Sequence, residues 1–174
     1  MIKQHGVLGR VAGLLFTLML GLILLGLSGC DKPASGLADL SQPIQVSLVD
    51  HEAMGGHTIE RHVAKSDAYL IERLQRDARL NTTSTFSNLA VAEASVNAVL
   101  NLQREQVARW WQGELARQAF FARVPTHGSY ITRTQLEASP DAQPQWVPEN
   151  AVVRVVLVRR GDDFFVLTAF PQPD

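Results

Sequence analysis

Cysteine is nearly absent from this chain of 174 residues: Cys30 is the only one, which excludes any disulfide within the chain. A strong charge of either sign is missing as well, because 16 Lys and Arg stand against 17 Asp and Glu. This balance excludes a protein that binds nucleic acid through a uniformly basic surface. The fold must therefore be held by a hydrophobic core, which a domain of about 130 residues is large enough to form.

The first thirty residues have the layout of a bacterial lipoprotein signal peptide. Two basic residues precede an uncharged apolar run over 11–27, and Leu27-Ser28-Gly29-Cys30 resembles a lipobox, in which the cysteine becomes the lipidated first residue. Residues 1–29 are predicted to be removed and residues 30–43 to form a tether. The alternative is an uncleaved membrane anchor, since an apolar run of seventeen residues lies at the lower limit for spanning a bilayer.

Lipid on Cys30 would hold the domain on a bilayer surface, because each buried methylene contributes about 0.8 kcal/mol. We expect a membrane lipoprotein, anchored by palmitate or similar acyl chains, that faces the periplasm. Asp31 resembles the signal that retains such lipoproteins at the inner membrane.

The charge of the chain is unevenly distributed. Cleavage after residue 29 would leave 14 basic and 17 acidic residues, a slightly acidic mature protein. From Arg104 to Arg160, however, eight arginines stand against five acidic residues. This local excess is compatible with a basic binding face or with an ordinary solvated surface.

Residues 44–174 are predicted to form one α+β domain in which N-terminal helices pack on a C-terminal antiparallel sheet. Ser66 is expected to cap a helix over 67–79, and polar residues at 81–85 to interrupt it. Ser87 is expected to cap a second helix, and a third helix, or a continuation of the second, is expected to end near Gln118.

The C-terminal third reads as β structure. A strand is predicted at 130–134, followed by a proline-rich loop. A β-branched run at 152–158, a turn at 160–163 and a return strand at 164–170 predict a hairpin. Alternation along the return strand would place Phe164, Val166, Thr168 and Phe170 on one face, which would make Thr168 a half-buried sheet residue.

Three of the five histidines, His51, His57 and His62, lie within twelve residues. Their gaps of six and five positions do not match the helical HExxH spacing, so no metal and no other cofactor is expected. A zinc-dependent hydrolase is the weakest alternative. Together with Lys65 and Arg73, the histidines form a positive cluster suited to an anion such as phosphate, although each alone could be an ordinary polar residue.

Ordered motifs run through residues 48–173: His51-Glu52, Gly55-Gly56-His57, Arg61-His62-Val63, Lys65-Ser66, Arg73-Leu74, Ser84-Thr85-Phe86 and Leu167-Thr168-Ala169-Phe170-Pro171. In this order they resemble the bacterial ribonuclease A-like toxin domain, which is best known as the C-terminal toxin of contact-dependent growth-inhibition proteins. The resemblance implies a fold similar to pancreatic ribonuclease A but without its disulfides.

The resemblance also implies active-site residues. It assigns His62, Arg73 and Thr168 to the site and places Phe170 where the family has a tyrosine, so the family's hydroxyl is missing here. Cleaving RNA without a metal requires a base for the 2′-hydroxyl, an acid for the departing 5′-oxygen and a cation facing the phosphorane. His57 is the candidate to share the acid and base roles with His62.

The remaining expected contacts are to substrate and partners. Lys65, Phe170 and His51 are expected to contact substrate. The predicted function is metal-independent endonucleolytic cleavage of RNA to a 2′,3′-cyclic phosphate. The alternative is a catalytically degenerate, membrane-tethered binding module that uses the same anion pocket, and the missing hydroxyl favours it. Besides RNA, the expected partners are the membrane, through lipidated Cys30, and an immunity protein.

Overall fold

The computed structural model describes residues 42–173, which fold into helices and two three-stranded antiparallel sheets. The elements in chain order are α1 (Leu48–Ala53), α2 (Thr58–His62), α3 (Asp67–Arg76), β1 (Thr82–Phe86), α4 (Leu89–Leu102), α5 (Arg104–Gln112), β2 (Arg117–Pro125), β3 (Gly128–Thr132), α6 (Arg133–Ala138), β4 (Gln145–Trp146), β5 (Asn150–Arg160) and β6 (Asp163–Gln172).

Helices and sheets enclose two apolar clusters. One sheet has the order β1-β3-β4 and the other β2-β5-β6. The main core is formed by α4, α5 and the inner face of β2-β5-β6. A smaller cluster of Leu70, Leu74 and Ile131 packs α3 against β1 and β3. The predicted α+β class with an antiparallel sheet is confirmed.

Several predicted boundaries in the helical half are wrong. The polar stretch 81–85 does not merely interrupt helices but forms most of β1, since its threonines favour an extended strand, and residues 83–86 of this strand are buried. Asn88, not Ser87, caps α4, because its side chain accepts a hydrogen bond from the Val91 amide. The third helix ends at Gln112, and the chain then turns at Gly113 before β2.

The helix that carries Arg73 has well-defined ends. Ser66 caps α3 as predicted, accepting a hydrogen bond from the Tyr69 amide at 3.2 Å. The helix ends at Arg76 instead of residue 79. There, Arg133 donates to the carbonyl oxygens of Leu74, Asp77 and Leu80 at 2.7–3.0 Å, which satisfies free carbonyl groups at and just beyond the helix end.

The predicted alternation along the last strand fails at one residue. Val156 pairs with Thr168 but Leu157 pairs with Val166, so Leu167 is an extra residue that forms a β-bulge. Phe164 and Val166 accordingly lie in the core, whereas Thr168 turns to the opposite face of the sheet. One extra residue reverses the side-chain alternation beyond it. A prediction that assumes strict alternation along the sequence has no place for such a residue.

The segment between α1 and α2 packs tightly on this bulge. Gly55 has φ +112°, and a side chain at Gly56 would bring Cβ to 2.5 Å from the Val166 carbonyl oxygen. The His57 amide donates to the Leu167 carbonyl at 2.9 Å, and the Ala169 amide donates to Thr58 Oγ1 at 2.9 Å. The two glycines therefore allow α2 to approach the backbone of β6 closely.

Within residues 42–173, no helix combines the length and apolarity needed to cross a membrane. The predicted signal peptide, the lipidated Cys30 and all but the end of the predicted tether lie outside the described residues.

Candidate active site

A cleft of about 470 Å³ opens where α2, α3, β1 and the ends of β5 and β6 meet. No acidic side chain is found among the described residues that line it, so its field favours an anion. These residues are His57, His62, Arg73, Arg79, Leu80, Asn81, Thr82, Ser84, Arg154, Thr168, Phe170, Pro171, Gln172 and Pro173.

His62 is the last residue of α2 and is only 6% exposed. Its Nδ1 donates to the Ser84 carbonyl oxygen at 3.0 Å, which fixes the tautomer and leaves Nε2 as the unprotonated nitrogen available to a ligand. Burial, opposed by the hydrogen bond to Ser84 and reinforced by the charge of Arg73, lowers the pKa of His62 from 6.5 to about 3. The ring is therefore neutral at neutral pH and able to accept a proton.

His57 precedes α2 and lines the same cleft. Partial burial lowers its pKa, and the nearby charges of Arg61 and, more weakly, Arg73 act in the same direction. Because the charge of Arg73 acts on both cleft histidines, the three groups share one electrostatic field. An anion bound among them would oppose this effect and favour protonation.

Arg73 reaches the cleft because the chain reverses direction after His62. Ala64 adopts a positive φ of 51°, and its amide donates to the Phe86 carbonyl at 2.9 Å, which turns the chain from α2 into α3. One Arg73 nitrogen, Nη1, donates to the Arg61 carbonyl at 3.2 Å. His62 itself lies at the end of the short helix α2, before this turn.

The bulge brings Thr168 and Phe170 into this cleft. Thr168 Oγ1 is buried and has no hydrogen-bond partner within the described part of the chain, which leaves it free for a ligand. The Phe170 ring stacks on His62 with centroids 4.9 Å apart and an interplanar angle of 22°. Phenylalanine cannot offer a hydroxyl at this position, so Phe170 contributes packing and a π face.

His51 and Lys65 do not line the cleft, so their predicted substrate contacts have no support from their position. His51 Nδ1 accepts a hydrogen bond from the Val166 amide at 2.7 Å, and its ring meets Phe164 edge-on. The Lys65 ammonium group lies 5.6 Å from the centroid of the Tyr69 ring. His51 thus holds the backbone beside the bulge, and Lys65 packs on α3.

Sequence reasoning missed several cleft residues. Arg154 carried a signal, because it is the only charged residue in the apolar run Val152-Val153-Arg154-Val155-Val156. Ser84 belongs to the motif Ser84-Thr85-Phe86 but was given no role; its carbonyl orients His62 and its hydroxyl donates to the Pro171 carbonyl at 2.6 Å. Between residues 42 and 173 no group of three or more His, Cys, Asp or Glu is placed to hold a metal ion.

The fold is antiparallel α+β, and it gathers histidine and arginine side chains in one cleft beside the sheets. Residues 56–171 match the family described as the bacterial CdiA-CT RNase A domain. The chain therefore belongs to this family of ribonuclease-type toxin domains, and the resemblance read from the sequence is confirmed.

A solved structure supports the fold assignment. The crystal structure of a CdiA-CT/CdiI complex from Y. kristensenii matches with a TM-score of 0.54 and 22% identity, covering 68% of this chain and 100% of that chain. At this identity the match establishes the fold alone. No curated protein matches the chain.

The buried neutral His62 predicts a pH-dependent stability. The unfolded chain protonates this residue near 6.5 and the folded chain only near 3, so the free energy of unfolding should fall as pH decreases from about 6.5 to about 3. The loss is at most about 5 kcal/mol. Denaturant titrations of the wild type and His62→Gln should show a shallower pH dependence for the variant.

His127→Gln is the matched control, since His127 is exposed and lies outside the cleft. Equal pH slopes for wild type and His62→Gln would contradict the assignment of a buried, neutral histidine.

Proposed function

We propose that this domain is a metal-independent endoribonuclease that cleaves RNA by transphosphorylation and leaves a 2′,3′-cyclic phosphate end. The observation that carries the proposal is the state of His62: buried, neutral and fixed through Nδ1 to the Ser84 carbonyl. It lines a cleft that also contains His57 and Arg73 and in which no described lining residue is acidic. A base, a second titratable group and a cation are the groups that this reaction needs.

His62 is the general base in this scheme. Its Nε2 takes the proton of the 2′-hydroxyl as that oxygen attacks the phosphorus, and the bond from phosphorus to the 5′-oxygen breaks. His57 in its protonated form gives a proton to the departing 5′-oxygen. The lower pKa of the deeply buried ring supports this division, because a base must be unprotonated and an acid protonated in the same pH range.

Arg73 and Thr168 stabilise the phosphorane that forms in between. The guanidinium group faces the charge that develops on the phosphoryl oxygens, for which a planar, bidentate donor is well suited. The free Thr168 hydroxyl donates to a phosphoryl oxygen or to the base of the bound nucleotide.

The biological setting that we propose has three elements. Membership of the CdiA-CT RNase A family supports use as a toxin. The signal-peptide pattern and Cys30 support a lipoprotein on the periplasmic face of a membrane, and Asp31 supports the inner membrane. The structural neighbour was crystallised with CdiI, which supports an immunity-protein partner for this chain as well.

A non-catalytic binding module is the second candidate, and Phe170 favours it. The family's hydroxyl is missing at this position, and the Phe170 ring covers one face of His62. Such a protein would keep the anion cleft and bind RNA without cleaving it.

Cleavage of single-stranded RNA by the full chain in mild detergent and EDTA tests the primary proposal. We expect cyclic-phosphate ends, and a rate lowered roughly 100- to 10,000-fold in His62→Gln, because the general base is removed. His127→Gln should cleave at the wild-type rate. Cleavage that needs added divalent metal, or that survives His62→Gln, would refute the mechanism.

The pH dependence of kcat/KM tests the roles of the two histidines. His62 stays unprotonated down to about pH 3, whereas His57 loses its proton at a pH below the ordinary 6.5. We therefore expect kcat/KM on a dinucleotide to peak below about pH 6.5 and to fall as pH rises further. A maximum above about pH 7.5 would show that another group is the acid.

Phe170→Tyr separates the two candidates. If the enzyme is active but lacks the family's hydroxyl, this variant should cleave faster than wild type. A wild type that binds RNA without cleaving it, together with an active Phe170→Tyr, would show that the natural protein is a binding module inactivated by one substitution.

A further inference from the structure

Aromatic and cationic side chains form a row that leads out of the cleft. Strand register places Phe121 of β2 beside Arg154 of β5, and Arg154 beside Phe170 of β6. The Arg154 guanidinium lies 5.4 Å from the centroid of the Phe121 ring and 5.9 Å from that of Phe170. Because Phe170 stacks on His62, the row connects the edge of the sheet to the proposed base.

Arg154 has donors that the fold does not use. Its Nε is buried without a hydrogen-bond partner anywhere in residues 42–173, although its side chain lines the cleft. Arginine remains charged in proteins, so a half-buried guanidinium without a carboxylate partner is costly unless a ligand supplies the acceptor. Contacts with ring faces leave the in-plane N–H groups of such an arginine available, and phosphate oxygens suit them.

The outer end of the row is open to solvent. Phe121 is 44% exposed, and it is one of the large apolar residues that the described chain leaves at the surface. Its ring lies at the edge of the sheet, beyond the lining of the cleft. A flat exposed ring next to an arginine is the combination on which the bases of single-stranded nucleic acids stack.

The charge of this face fits a polyanion. By alternation along β2, Arg117 and Arg123 lie on the same face as Phe121, and both are exposed. Strands β2 and β5 contain no acidic residue. The acidic residue of β6, Asp163, lies at the far end of the strand opposite Arg160.

We propose that the outer face of β2-β5-β6 is a binding track for single-stranded RNA. In this track a nucleobase next to the scissile nucleotides stacks on Phe121, and the adjoining phosphate binds Arg154. This binding track adds a substrate-binding surface to the ribonuclease function proposed above, and it rests on that function. It predicts that substrates longer than a dinucleotide bind more tightly through contacts away from the histidines.

Binding to a substrate that cannot be cleaved tests the track separately from catalysis. The full chain carrying His62→Gln is titrated with a fluorescent 2′-O-methyl decanucleotide and with the corresponding dinucleotide. Removing the ring in Phe121→Ala should raise the decanucleotide Kd about 5- to 100-fold and change the dinucleotide Kd much less. Phe121→Trp should restore tight binding, because a larger ring stacks as well.

Trp146→Ala is the matched control for an exposed aromatic residue. Trp146 is 82% exposed but belongs to the other sheet and lies outside the cleft, so its removal should leave the decanucleotide Kd unchanged. Arg154→Gln should reduce the slope of log Kd against log salt concentration by about 0.7, the value for one lost phosphate contact on a single strand.

The outcomes separate this proposal from the ribonuclease function. Phe121-dependent binding without any cleavage by the wild-type chain would retain the track and reject the nuclease. If the wild-type chain cleaves RNA but the decanucleotide Kd does not respond to Phe121→Ala, the track is overturned and the ribonuclease function is retained. If polyglutamate binds tightly to this face and the decanucleotide Kd again does not respond to Phe121→Ala, the face would be assigned to an acidic protein. This result would also overturn the track.

Discussion

The site depends on one extra residue in the last strand. Without the bulge at Leu167, Thr168 would lie on the same side of the strand as Val166 and face the core. The bulge also presents the Leu167 carbonyl to the His57 amide, which attaches the start of α2 to the sheet. A single irregularity thus orients a hydroxyl and an aromatic ring toward the cleft and positions the helix that carries His62.

Burial and charge act together on the histidines of this cleft. His62 is enclosed without a carboxylate partner, so desolvation keeps it neutral, and the arginines nearby reinforce the effect. The electrostatic repulsion among the positive groups of the cleft is reduced because the histidine rings remain uncharged until an anion binds. In the proposed mechanism, RNA phosphate would supply the charge that allows His57 to hold its proton, which would couple substrate binding to the acid role.

The row from Phe121 to His62 gives the sheet face a role beyond the chemistry. The Arg154 guanidinium lies between two rings, and its buried Nε has no hydrogen-bond partner in the described part of the chain. Arg159 also has a buried Nε without a partner within residues 42–173, but its Nη2 donates to the Trp110 and Trp111 carbonyls and its guanidinium stacks on both indole rings. Arg154 differs from Arg159 in lining the cleft, and this position is the reason for assigning Arg154 to a ligand.

Local signals predicted part of the structure well. The Ser66 cap and the hairpin around Gly161 follow from capping and turn chemistry and are found in the structure. The bulge at Leu167 could not be predicted, because a strand's alternation gives no sign of an inserted residue. The structural role of His51 depends on a hydrogen bond to Val166, 115 residues away in the chain, and sequence proximity to His57 suggested a shared site instead.

The central claim is that His62 is a buried histidine fixed as a neutral base by the Ser84 carbonyl. Long-range ¹H–¹⁵N NMR on histidine-labelled protein, with His62→Gln to assign the signal, tests it directly. We expect a protonated Nδ1 and an unprotonated Nε2 for His62 from about pH 8 down to about pH 4. A ring that titrates near its ordinary value, or that carries its proton on Nε2, would contradict it.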